Sequence, residues 1–143
     1  MRRLIDILLL AVSCLCLISC DSQKDTSFCG FTFGGGGNTY SAEPATISLK
    51  GPEATLTAGR ANSAVTVKLS WEPPSGENLG AIELREAKFF VADKATKTSL
   101  ENGHIVLQTI GEHIVHGSFE LKTKAPDGRT FPVVGSFTAK NVN

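Results

Sequence analysis

The chain has 143 residues, with 14 Lys and Arg against 14 Asp and Glu, and a formal net charge of zero with neutral histidines. No basic excess exists to neutralise phosphates, so the composition argues against nucleic acid as a partner. The length suits one domain.

The first element is apolar. Met1-Arg2-Arg3 is a positive n-region, Ile7 to Ile18 is apolar apart from Ser13, and small Ser19 stands directly before Cys20. That order is the secretory signal pattern. About a dozen apolar residues are too few for a comfortable span, which needs ~20. Leu17-Ile18-Ser19-Cys20 resembles the lipobox of bacterial lipoproteins. The resemblance implies lipid on the Cys20 thiol, cleavage just before it and acylation of the new amino group. It places the protein in the bacterial cell envelope, lipid-anchored to a membrane, on the periplasmic side if the cell is Gram-negative. Asp21, next in the chain, resembles the signal that keeps such proteins in the inner membrane. Removing residues 1–19 from 143 leaves 124. Losing Arg2, Arg3 and Asp6 brings the mature charge near −1. No polybasic run supplements the lipid, and multiple acyl chains would hold without one.

Residues 20–43 read as the lipidated N-terminus and a Gly-rich flexible tether. Gly34 to Gly37 carry a large ordering entropy and have no side chains to pack. A linker of some 25 residues would reach roughly 25–30 Å and lift a domain clear of the headgroups. The glycines lack the Lys-Ser/Thr of a phosphate loop. Phe28, Phe31, Phe33 and Tyr40 are expected either to dip into the membrane interface or to dock on the domain as an added strand. With Cys14 and Cys16 in the signal and Cys20 lipidated, Cys29 is the one thiol left. No histidine nearby activates it, so an idle tether cysteine is expected.

The globular part, 44–143, reads as strands. Ala45–Lys50 and Ala54–Thr57 alternate, with turns at Gly51-Pro52 and Ala58-Gly59. In Ala64–Trp71, Val65, Val67, Leu69 and Trp71 share one face, the strict period two of a half-buried strand. Ala81–Ala92 fits a strand with a bulge near Glu86-Ala87, or one helix; Phe89-Phe90-Val91 favours strand. Asp93–Gly103 reads as a polar connection and Ile105–Ile110 as a strand. The run Val65-Thr66-Val67-Lys68-Leu69-Ser70-Trp71-Glu72-Pro73-Pro74-Ser75-Gly76 resembles the second strand of a fibronectin type III module, with its buried Trp and trailing prolines. The tyrosine such modules carry later is missing, since Tyr40 precedes the match. The fold expected is all-β: an antiparallel β-sandwich of immunoglobulin or fibronectin type, with a small β-barrel as the alternative.

The last hairpin gives a register. Ala125-Pro126-Asp127-Gly128 is a turn signal. A three-residue Pro126-Asp127-Gly128 loop pairs Ile114–Lys124 with Thr130–Val142 so that paired numbers sum to 254. Val115-His116-Gly117-Ser118-Phe119-Glu120-Leu121-Lys122 recurs as Val133-Val134-Gly135-Ser136-Phe137-Thr138-Ala139-Lys140. Phe119 then covers Gly135 and Phe137 covers Gly117. One face is apolar, and a slip of one residue would mix the faces. Pro132 requires an unpaired far side, as at a sheet edge. His116 falls on the polar face and His113 on the apolar one.

Chemistry is sparse. His104, His113 and His116, with Glu112, form one cluster, but an odd spacing on a strand sends His113 and His116 to opposite faces. A zinc site needs three or four converging ligands, so no metal site, cofactor or catalytic residue is assigned. No nucleophile elbow, paired carboxylates or dinucleotide fingerprint stands out. The expectation is a non-enzymatic binding or structural module, anchored to the membrane through lipid on Cys20. Its partner would be an envelope protein or glycan, met near Trp71–Asn78. The alternative is a metal-handling or hydrolytic envelope protein using His104, His113 and His116.

Overall fold

The computed structural model describes residues 26–33, 38–74, 80–92 and 99–143. The described residues hold nine strands and no helix: β1 (Phe28–Phe33), β2 (Thr39–Ala42), β3 (Ala45–Ser48), β4 (Ala54–Ala58), β5 (Val65–Trp71), β6 (Ile82–Val91), β7 (Ser99–Ile110), β8 (Ile114–Lys124) and β9 (Thr130–Asn141). From β3 to β9 each strand pairs with the next, antiparallel throughout. β9 then meets β3 in parallel, Thr46 beside Lys140 and Ile47 beside Asn141. The seven strands thus close into a barrel.

The expected sandwich is therefore corrected to the small barrel. Both architectures bury one face of every strand, so alternation alone cannot separate them. What decides is the double role of β9, which pairs with β8 along one side and with β1 and β3 along the other. Closure removes the edges that two open sheets would expose. The fibronectin-like stretch holds strand β5, which ends in a buried Trp71.

The N-terminal boundary also moves. Phe28–Phe33, assigned above to a flexible tether, is strand β1, laid against Thr138–Val133 of β9. β2 pairs with β1 and leads through Glu43-Pro44, a cis peptide, into β3. β1 is thus wedged between β9 and β2. Phe31 is buried and stacks on Phe89 with ring centres 5.0 Å apart, and Tyr40 lies 5.6 Å from Phe31. Of the two expectations for the aromatics, these two residues follow docking. Gly34–Gly37 lie outside the described residues.

Two local irregularities fit the sequence pattern. Ser70 faces Glu86 but Trp71 faces Leu84, so Arg85 is the extra residue of a bulge. Without it Leu84 could not share the inner face with Ala87, Phe89 and Val91, all buried. The bulge sits beside the expected Glu86-Ala87, and strand rather than helix holds. β7 begins at Ser99, inside the expected polar connection, with register shifts between Leu100 and Asn102 and between Leu107 and Thr109.

The last hairpin has the expected register. From Ile114 with Lys140 to Lys124 with Thr130, every pair sums to 254. The Gly128 N–H donates to Ala125 O at 2.9 Å, the Ala125 N–H donates to Arg129 O at 2.8 Å, and Gly128 takes φ 88°. Val115, Phe119, Leu121, Val133, Phe137 and Ala139 are buried on the inner face. β9 is paired on both sides over part of its length, but among the described residues Pro132 has no partner on its far side, as expected for that position. The described ladder with β1 stops at Val133, one residue short of Pro132.

Candidate functional site

The residues singled out for chemistry do not converge. His104 faces Glu120, and His116 faces Thr138, with His116 Nδ1 and Thr138 Oγ1 2.9 Å apart. Glu120 and His116 are four residues apart on β8, roughly 13 Å at strand rise. His113 lies in the turn before β8 with its side chain 83% exposed, not on the apolar face expected for it. Among the described residues no group of three His, Cys, Asp or Glu could hold a metal ion. Cys29 is not a tether residue: it is buried in β1, and desolvation pushes its thiol up to about 12. Cys20 lies outside the described residues.

The surface expected near Trp71–Asn78 is described only as far as Pro74. Trp71 is fully buried, and Glu72 is tied to Arg85 at 2.6 Å. A shallow hollow of about 400 Å³ is bounded by Glu72, Pro73, Pro74 and Gly80–Glu83. Ser75–Glu77 and Asn78 lie outside the described residues.

A second groove, of about 360 Å³, lies on the outer wall at the β4–β5 turn. Its sides are Thr57–Ala61, Thr66–Lys68 and Lys88–Phe90. Alternation turns Val67 and Phe89 inward and leaves Lys68, Lys88 and Phe90 outside. The register sets Thr57, Lys68 and Lys88 in one row across three strands. Two ammonium groups directly opposite each other are unfavourable in a sheet. Glu86 relieves part of this. It bonds Lys88 at 2.7 Å, and its carboxyl is held below the usual range, first by that bond and charge and lastly by Lys68.

Arg60 stands in the turn. Its backbone is fixed by Ser63, whose N–H donates to Arg60 O at 2.9 Å while Ser63 Oγ accepts from the Arg60 N–H at 2.9 Å. Among the described residues no carboxylate lies within ion-pair distance of Arg60 or Lys68. Phe90, 53% exposed, adds a bare ring to the rim. Among the described residues three cations thus border one groove, one of them, Lys88, paired with Glu86. The chain disperses them over positions 60, 68 and 88, so no charge run betrays them; only the β4–β5–β6 register unites them.

Comparison with protein-family models, curated proteins and solved structures finds no match to this chain.

Proposed function

We propose that the chain is a lipid-anchored protein of the bacterial cell envelope whose barrel is a non-enzymatic binding module for anionic ligands. The order Leu17-Ile18-Ser19-Cys20 supports the anchor. The single observation that carries the binding role is the groove of Arg60, Lys68 and Lys88 beside the exposed Phe90. Lys88 is held by Glu86, which leaves Arg60 and Lys68 on the groove with no carboxylate in ion-pair distance among the described residues. A phosphate or carboxylate between the cations would form charge-assisted hydrogen bonds, and the Phe90 ring would cover an apolar part of the same ligand. Nothing in the placement of His104, His113 and His116 favours the metal-handling or hydrolytic alternative.

The test uses the full chain in detergent with inorganic polyphosphate as the probe, followed by calorimetry at low salt. Binding should weaken about tenfold in the Arg60→Ala/Lys68→Ala variant and fade as salt is raised. Equal binding by both proteins would overturn the assignment of the groove. The anchor has its own test: Cys20→Ser should end fatty-acid labelling and leave an unprocessed precursor.

A further inference from the structure

The described chain begins close to the groove. The Ala45 N–H donates to Ser27 Oγ at 3.1 Å, where β1 ends and β3 takes over the pairing with β9. Thr26, the first described residue, is exposed. Ala45 faces Ala58, and Ala58 faces Val67, and both partners border the groove. At roughly 4.8 Å per strand, the groove starts about 10 Å along the wall from Ser27.

Residues 21–26 are all that separate Cys20 from Ser27. Seven steps of ~3.3–3.6 Å span at most about 25 Å. Because β1 begins at Phe28, the expected tether of roughly 25 residues is shortened to a leash of these seven steps. Surface charge on a bilayer is felt only within a Debye length, roughly 8 Å at physiological salt. A domain on a longer tether would spend most of its time beyond it. On this leash the groove stays at high effective concentration near the headgroups.

We propose that the Arg60–Lys68–Lys88 groove docks on the anionic lipid headgroups of the membrane that holds Cys20, with Phe90 dipping into the interface. This rests on the anchor reading given above. The cations match the phosphates in sign, and an exposed aromatic beside them suits the boundary between headgroup and acyl chain. Acyl chains alone retain the protein, so the groove sets which side of the barrel faces the bilayer rather than whether it stays.

The test places a fluorophore on Ala61→Cys in the full, lipid-bearing mature chain. Ala61 is exposed at the groove, whereas Cys29 is buried and escapes labelling. The protein is inserted into phosphatidylcholine vesicles, with or without phosphatidylglycerol, each carrying headgroup spin-labelled lipid. Quenching should be several-fold stronger with phosphatidylglycerol. The docked-to-undocked ratio should fall roughly fivefold for each cation removed, as in Arg60→Ala and Lys68→Ala. Unchanged Trp71 emission will show that these variants fold. A chain that floats with neither vesicle overturns the anchor, and the leash with it. A chain that floats with both and is quenched equally overturns the headgroup site alone. Binding of soluble polyphosphate without lipid-dependent quenching would give the groove to a soluble anion and overturn the proposal.

Discussion

Trp71 and Cys29 show how much one residue can carry. Trp71 closes the most regular strand and is fully buried. Its indole N–H has no partner among the described protein groups. Trp71→Ala should lower stability by roughly 3–5 kcal/mol in denaturant titration, because the cavity cannot collapse inside a closed barrel. Trp71→Phe should cost less, since it keeps most of the ring and removes an unpaired donor. Emission from the folded chain should be blue and resistant to quenchers; red, easily quenched emission would contradict the burial. Cys29 makes a pH prediction. Burial raises its folded pKa to about 12 from an ordinary value near 9.0. Above pH 9 the unfolded chain therefore loses this proton first, and stability should fall as pH rises from about 9 towards 12. The stability difference between the native chain and Cys29→Ala should reproduce that slope, whereas a flat difference would refute it. Thiol reagents at pH 8 should leave Cys29 untouched until the chain unfolds. Trp71 was legible in the sequence because period two marks its face. Cys29 was not, because it lies in a glycine-rich stretch and its burial comes from a partner over a hundred residues away.

The β8–β9 hairpin was the most legible element. A turn with Pro, Asp and Gly fixed where pairing starts, and two apolar faces fixed its parity, so the register followed. A Cβ built on Gly135 would meet the Phe119 ring, and one on Gly117 the Phe137 ring. Each glycine is also approached by backbone, Gly30 O at 2.6 Å from the Gly135 position and Val106 O at 2.6 Å from the Gly117 position. These two carbonyls belong to β1 and β7, which the repeat itself does not mention. Gly135→Ala should therefore cost about 1–3 kcal/mol or more, since neither ring nor carbonyl can withdraw freely. Combining it with Phe119→Leu separates the two causes. If the ring were the whole obstacle, the double variant would recover to the level of Phe119→Leu alone. The carbonyl of Gly30 predicts incomplete recovery in a double-mutant cycle. The bulge at Arg85 was legible in kind, because Leu84 and Phe89 differ in parity. Its exact place was not, since Glu86 and Ala87 satisfy the same pattern.

Closure is a property of the whole molecule, and the sequence could not show it. Alternation states which face of a strand is buried and is silent on which strand lies beside it. The strands from Ala45 to Asn141 could be named in order, yet their ring depends on β9 meeting β3, a contact that bridges most of the chain. The groove was illegible for the same reason, as its cations meet only through register. The largest omission was β1. Glycine on both sides of Phe31-Thr32-Phe33 made that stretch resemble a linker, but docking on β9 supplies the order its composition lacks. A fragment that starts at residue 44, the boundary the sequence suggests, should therefore fail. It loses the buried Cys29, Phe31 and Ala42 and uncovers Phe89, which Phe31 packs against. Full burial of one large apolar side chain is worth roughly 1.5–3 kcal/mol, and a domain of this size holds only ~5–15 kcal/mol in total. The fragment also leaves the β9 backbone from Val133 to Thr138 unpaired on one side, an exposed edge prone to association. A fragment beginning at Thr26 keeps both strands and Ser27, which anchors Ala45. Residues 26–143 should unfold in one cooperative transition and remain monomeric, whereas 44–143 should aggregate or melt without cooperativity. Equal melting temperatures for the two fragments would show β1 to be an ornament on the barrel rather than part of its wall.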